Sequence, residues 1–106
     1  MSRIERLADN ESAFRDVNER LAAAEVPAEG ELLSFLCECA DIDCLQPVEL
    51  ARREYEAVRS DGAQFVIAPD HAITDLERVV LQTDRYWVAK KLGGAGAIAE
   101  ELDPRA

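Results

Sequence analysis

Histidine, tryptophan and methionine each occur once in the 106 residues, and cysteine occurs three times. An odd set of three cysteines is too small for a disulfide framework. With a single histidine drawn to those thiols, no Ser-His-Asp or Cys-His nucleophile is legible either. Basic residues are also scarce: 12 Lys plus Arg face 22 Asp plus Glu, for a formal net charge of -10. Phosphate backbones and anionic lipid surfaces attract clustered Lys and Arg, so nucleic acid and membranes are excluded as expected partners. No stretch approaches the ~20 apolar residues that cross a bilayer. Arg3, Glu5 and Arg6 stand where a signal peptide carries its apolar run, so a cytoplasmic protein is expected. Internal repeats and low-complexity linkers are absent from the sequence.

What remains is sufficient for one core. The hydrophobic fraction is 48%, and a chain of this size buries roughly 65% of its unfolded surface. One domain over residues 1–106 is expected, since domains commonly run to about 100–150 residues. It divides into an N-terminal helix over about 3–25 and an α+β core over about 32–102. The negative excess lies before residue 72 and reads mainly as a solvated face.

Leu7, Phe14 and Leu21 recur every seven residues, with Ile4, Val17 and Ala24 nearby, which predicts an amphipathic helix. The stripe packs on its own domain or, alternatively, forms a seam with a partner helix. Asn10 offers a cap that would split the segment, and Val26-Pro27-Ala28-Glu29-Gly30 stops it. Leu33, Phe35 and Cys37 alternate with Ser34, Leu36 and Glu38 as a strand, and Pro47-Val48-Glu49-Leu50 returns. Arg52–Arg59 has helical register and ends at the Ser60-Asp61-Gly62 turn and C-cap signal. Gln64–Ala68 is a β-prone run closed by Pro69. Glu77–Lys91 reads as two antiparallel strands around Thr83-Asp84, or as one bulged strand. A short helix is expected over residues 97–102. The fold class is α+β: an N-terminal helix, a small antiparallel sheet of about four strands, and one or two short helices beside a zinc knuckle.

All three cysteines fall within Cys37-Glu38-Cys39-Ala40-Asp41-Ile42-Asp43-Cys44. Thiolates bind tetrahedral zinc at about 2.3 Å, and a turn of small and acidic residues lets the ends of such a segment converge. The C-x-C-x4-C spacing is permissible, although it is not the common C-x-x-C knuckle. A closed site needs a fourth donor, and His71 follows Cys44 by 27 residues at a strand end. If residues 65–68 join the sheet of residues 33–37, His71 arrives beside the knuckle. The expected metal ligands are therefore Cys37, Cys39, Cys44 and His71, holding Zn2+. Two alternatives stay open: the thiols are small buried hydrophobes, or Cys39 and Cys44 form a reversible disulfide. Asp41 and Asp43 add oxygen ligands or merely solubilise the turn. Gly94-Ala95-Gly96-Ala97-Ile98-Ala99 matches a loose dinucleotide pattern, but too little chain follows it for a second strand and a ribose-binding acid. Tyr86 and Trp87 face opposite sides of a strand, one toward the core and the other available to a partner.

Together, Phe35-Leu36-Cys37-Glu38-Cys39, Cys44, Glu54-Tyr55-Glu56-Ala57-Val58-Arg59, Phe65–His71 and Tyr86-Trp87-Val88 resemble a family of small uncharacterised bacterial proteins. In that family the cysteine cluster precedes an E-Y-E-x-V-R helix and a P-G-H segment. The likeness spans nearly the whole chain, including the helix around Asn10–Leu21 and the Asp103-Pro104-Arg105 tail. It implies no activity. Asp70 replaces the family's Gly, and Ala51 replaces the Thr that opens the helix, removing a cap worth about 1 kcal/mol. Gly reaches φ > 0 cheaply and Asp more readily than most other residues, so Asp70 bears on the backbone that leads into His71.

The expected function is a small non-enzymatic zinc-binding regulatory or protein-interaction module with a structural Cys3His site. A basic protein partner suits its charge. A thiol redox sensor that releases zinc on oxidation, and a metalloenzyme with an open zinc position, are the alternatives.

Overall fold

The computed structural model describes residues 2–24, 30–41, 43–44, 46–72 and 75–105. In chain order the elements are α1 (Arg3–Ala24), β1 (Leu32–Leu36), β2 (Pro47–Ala51), α2 (Arg52–Val58), β3 (Gln64–Ile67), β4 (Glu77–Gln82), β5 (Trp87–Lys91) and α3 (Gly93–Glu101). The α+β class is as expected. No helix among the described residues is long and apolar enough to cross a membrane.

Ser2 starts α1. Its Oγ accepts the Glu5 N–H at 3.1 Å, satisfying a donor that the first turn leaves without a partner. The helix continues through Asn10, which is not a cap: its Nδ2 donates to the Ala40 carbonyl at 2.8 Å. The stop assigned to residues 26–29 lies outside the described residues. The buried face also departs from the Leu7-Phe14-Leu21 stripe. Ala8, Glu11, Ser12, Phe14, Arg15, Asn18 and Ala22 are buried, whereas Ile4 and Val17 are exposed. Polar side chains turn inward because the rest of the fold satisfies them. Arg15 donates to the carbonyls of Gly62 at 2.8 Å and Ala99 at 2.9 Å, and its guanidinium lies 4.5 Å from the Phe65 ring centre. Lys91 lies between Glu11 and Glu77, all three buried.

The single four-stranded sheet expected from the sequence is instead two antiparallel sheets, β1-β2 and β3-β5-β4. In the first, Phe35 pairs with Val48 and Leu36 with Pro47. In the second, Val66 pairs with Val88, and β4 pairs with β5 through an irregularity between Val79 and Leu81. The two-strand reading of residues 77–91 therefore holds, with the bulge inside β4. Thr83 closes the hairpin, its N–H donating to the Tyr86 carbonyl at 2.9 Å.

Chain leaving β1 joins the two sheets. Cys37 N–H still donates to the Gln46 carbonyl at 3.0 Å, on the β2 side. Glu38 faces the other way, and its N–H donates to the Val66 carbonyl of β3 at 2.8 Å. Residues 33–37 and 65–68 thus approach through Glu38 rather than by strand pairing. Phe35, Val48, Leu50, Tyr55, Val66, Ile67 and Val88 are buried in one core beneath this junction. The Phe35 and Tyr55 rings stack 4.5 Å apart.

Ala51 opens α2 without a side-chain cap, but Glu54 reaches back to accept the Ala51 N–H at 2.8 Å. Arg59 is the C-cap, so Gly62 serves a different purpose: a Cβ there would meet Asp103 Oδ2 at 2.7 Å. Helix α3 begins at Gly93, earlier than expected, and Gly96 lets it approach β5 closely. Within the Gly94–Ala99 run, Gly96 carries this packing, and nothing lies within 4 Å of a Cβ at Gly94. Tyr86 is the buried member of its pair and Trp87 is half-buried.

Candidate metal centre

Strand β1 runs directly into Cys37, which is fully buried, and Cys39 follows on the same side of the extended chain. Asp41 then turns the backbone. Its Oδ1 accepts the Asp43 N–H at 2.9 Å and its carbonyl accepts the Cys44 N–H at 3.0 Å, bringing Cys44 back over the first two thiols. Asp41 is therefore a turn former, while Asp43 is exposed.

His71 arrives from the opposite sheet. Beyond β3, the His71 N–H donates to the Ala68 carbonyl at 3.2 Å across a β-turn with Pro69 and Asp70 at its centre. Proline supplies the fixed φ at the first central position, and the second requires φ > 0. Asp70 meets that requirement at φ 68°. The same turn aims the Ala68 N–H at Cys37 Sγ, 3.1 Å away.

These elements bring together all four residues expected from the sequence: Cys37, Cys39, Cys44 and His71. Their donor atoms lie within 4.8 Å of one another, with His71 Nδ1 at 3.5 Å from both Cys37 Sγ and Cys44 Sγ. Metal–sulfur bonds of about 2.3 Å and metal–nitrogen bonds of about 2.0 Å give a tetrahedron an S···N edge of ~3.5 Å. The Cys37–His71 and Cys44–His71 edges match it. Three thiols and one imidazole therefore form a group able to hold a metal ion.

Electrostatics in the cluster are uneven. The Cys37 thiol is pushed up by its hydrogen bond to Cys39 and by burial. Cys39 is correspondingly lowered to about 5, chiefly through the hydrogen bond from Cys37, with His71 adding to the effect. Burial raises Cys44. An open cleft of about 390 Å³ borders one side, lined by Leu7, Cys39, Ala40, Asp41 and His71.

Glu38, between two of the cysteines, is a supporting residue to which the sequence assigned no role beyond its place in the strand alternation. It is fully buried, accepting the Val66 N–H at 2.9 Å and the Asn18 amide at 2.8 Å. Burial lifts its carboxyl to about 7, against the lowering effect of these donors. Asn18, also fully buried, brackets Leu36: Nδ2 donates to its carbonyl at 2.9 Å and Oδ1 accepts its N–H at 2.8 Å. The only local signals were a polar residue in the middle of a cysteine pair and an Asn within an otherwise charged helix.

Comparison with protein-family models, with curated proteins and with solved structures gives no match to this chain.

Proposed function

We propose that this chain is a small zinc protein in which Cys37, Cys39, Cys44 and His71 close a structural tetrahedral site. The observation that carries the proposal is the convergence of four donor atoms, from two different sheets, within 4.8 Å. Three soft thiolates with an imidazole suit zinc by ligand type. Four protein ligands leave no coordination position for a reacting water, which favours a structural role over a catalytic one. The ion would bind the β1–β2 connection to the turn after β3, staples that a domain of this size benefits from.

On this reading, the functional output is recognition of another protein. A net charge of -10 favours a basic partner, and a reducing cytoplasm keeps the thiols available for metal. The proposal includes membership of the small bacterial family that the sequence resembles, supported by the left-handed Asp70 at the family's glycine position.

Metal content of the purified chain tests this reading, together with Cys37→Ser, Cys39→Ser, Cys44→Ser and His71→Ala. One zinc per wild-type chain, weakened binding in every variant, and loss of cooperative unfolding with a strong chelator are expected. Full zinc affinity in His71→Ala would indicate an open site instead. A metal-free chain with an unchanged melting temperature would contradict a structural metal.

A further inference from the structure

The three cysteines differ in accessibility in a way that coordination alone does not require. Cys37 is sealed: its exposure is 0%, and the Ala68 N–H holds its sulfur at 3.1 Å. Cys39 lines the open cleft with Leu7, Ala40, Asp41 and His71. Cys44 is half-buried and sits at the end of the short turn that begins after Cys39. Cys39, itself buried at 6% exposure, is reached through the cleft, and Cys44 is half-buried beside it, whereas Cys37 does not line the cleft and is anchored by backbone on both sides. Cys37 also keeps its N–H on the Gln46 carbonyl at 3.0 Å.

We infer that the centre is a peroxide-responsive switch in which Cys39 is the attacking thiolate, Cys44 the resolving thiol and Cys37 a bystander. The inference rests on the zinc reading of the site and adds how that site is regulated. The substrate class is a small hydroperoxide, for which the cleft provides entry.

Cys39 Sγ attacks the outer oxygen of the hydroperoxide and the O–O bond breaks. Sulfur gives up two electrons and becomes a sulfenic acid, while the alkoxide formed takes a proton from water and leaves as an alcohol. Cys44 Sγ, within 4.8 Å of the other donors, then attacks the Cys39 sulfur. The S–O bond breaks, an S–S bond forms, and hydroxide departs as water after taking up a proton. In total two thiolates, one hydroperoxide and two protons give one disulfide, one alcohol and one water. Only Cys37 and His71 are then left to hold the ion, too few for a tetrahedral protein site. Its loss frees the turn at Asp70-His71 from the β1–β2 connection.

Zinc titration of the fully reduced chain comes first, since failure to bind overturns the metal reading itself. Zinc-loaded protein is then treated with tert-butyl hydroperoxide in the presence of a chromogenic chelator, followed by alkylation and peptide mapping. The expected result is one zinc released per disulfide formed, a Cys39–Cys44 linkage, an alkylatable Cys37, and zinc recovery after dithiothreitol. Leu7→Trp, which narrows the cleft without touching a ligand, slows release several-fold at unchanged zinc affinity, while Leu7→Ala does not slow it. Zinc retained under peroxide, a disulfide containing Cys37, or equal rates in all three Leu7 forms overturns the inference while leaving the zinc reading standing.

Discussion

Glu38 and Val66 are joined twice: the Glu38 N–H donates to the Val66 carbonyl at 2.8 Å, and the Val66 N–H donates to Glu38 Oε1 at 2.9 Å. One residue thereby occupies both backbone groups of Val66 on the free edge of β3. Asn18 does the same for Leu36 on the free edge of β1, and its amide also meets Glu38 Oε2 at 2.8 Å. Buried edges need such partners, because an unmade backbone hydrogen bond there costs more than a made one contributes. The Glu38 anchor stands between two candidate metal ligands, so it also determines where Cys37 and Cys39 point.

Asn18→Ala removes three hydrogen bonds and leaves Leu36 and Glu38 under-satisfied. A loss of about 3 kcal/mol is expected in urea unfolding of the metal-loaded chain. Asn18→Ala within ~0.5 kcal/mol of wild type would show that water replaces the amide.

Glu11 makes stability depend on pH. Burial raises its carboxyl to about 7, outweighing Lys91, with Glu77 adding to the rise and Arg15 opposing it. The folded chain therefore holds a proton that the unfolded chain releases near the ordinary glutamate value. This contribution is fully present below ~4.5 and is lost as pH rises toward about 7. Urea midpoints of wild type and Glu11→Gln, measured across that window, separate this from zinc effects common to both. The variant is expected to lose less stability than wild type as pH rises, and parallel curves would refute the assignment.

Two nearby glycines give opposite outcomes. An added Cβ at Gly96 meets the Lys91 carbonyl oxygen at 2.8 Å, whereas nothing lies within 4 Å at Gly94. Gly96→Ala is expected to cost about 1–3 kcal/mol by forcing α3 off β5. Gly94→Ala gains roughly 0.5–1 kcal/mol through helix propensity. Thermal melts of the two variants decide between this packing account and one in which both glycines serve the same purpose.

Asp70 tests the turn that delivers His71. At φ 68° a β-branched side chain is strongly disfavoured. Asp70→Val should lose about 1–2 kcal/mol and bind zinc more weakly, while Asp70→Gly retains both properties. Competition against a chelator of known affinity measures the second effect.

The ligand set was legible because its signals are local: clustered thiols, one imidazole after a strand, and a Pro-Asp turn between them. Strand and helix positions were legible for the same reason, through alternation and turn residues. The division into two sheets was not, because it depends on Glu38 reaching Val66 across 28 residues. The inward face of α1 was misplaced for a related reason. Hydrophobic periodicity favours Leu7, Phe14 and Leu21, whereas Glu11, Arg15 and Asn18 are buried by partners on β1, β4, β5, α3 and the segment around Gly62. Those partners lie far away in sequence, so no window on the helix itself identifies them.

X-ray absorption at the zinc edge of the purified, reduced chain tests the central claim most directly. Three sulfur neighbours at about 2.3 Å and one nitrogen neighbour at about 2.0 Å are the predicted shell, with the nitrogen lost in His71→Ala. A shell dominated by oxygen, or one retaining its nitrogen in His71→Ala, would contradict the Cys37, Cys39, Cys44 and His71 centre.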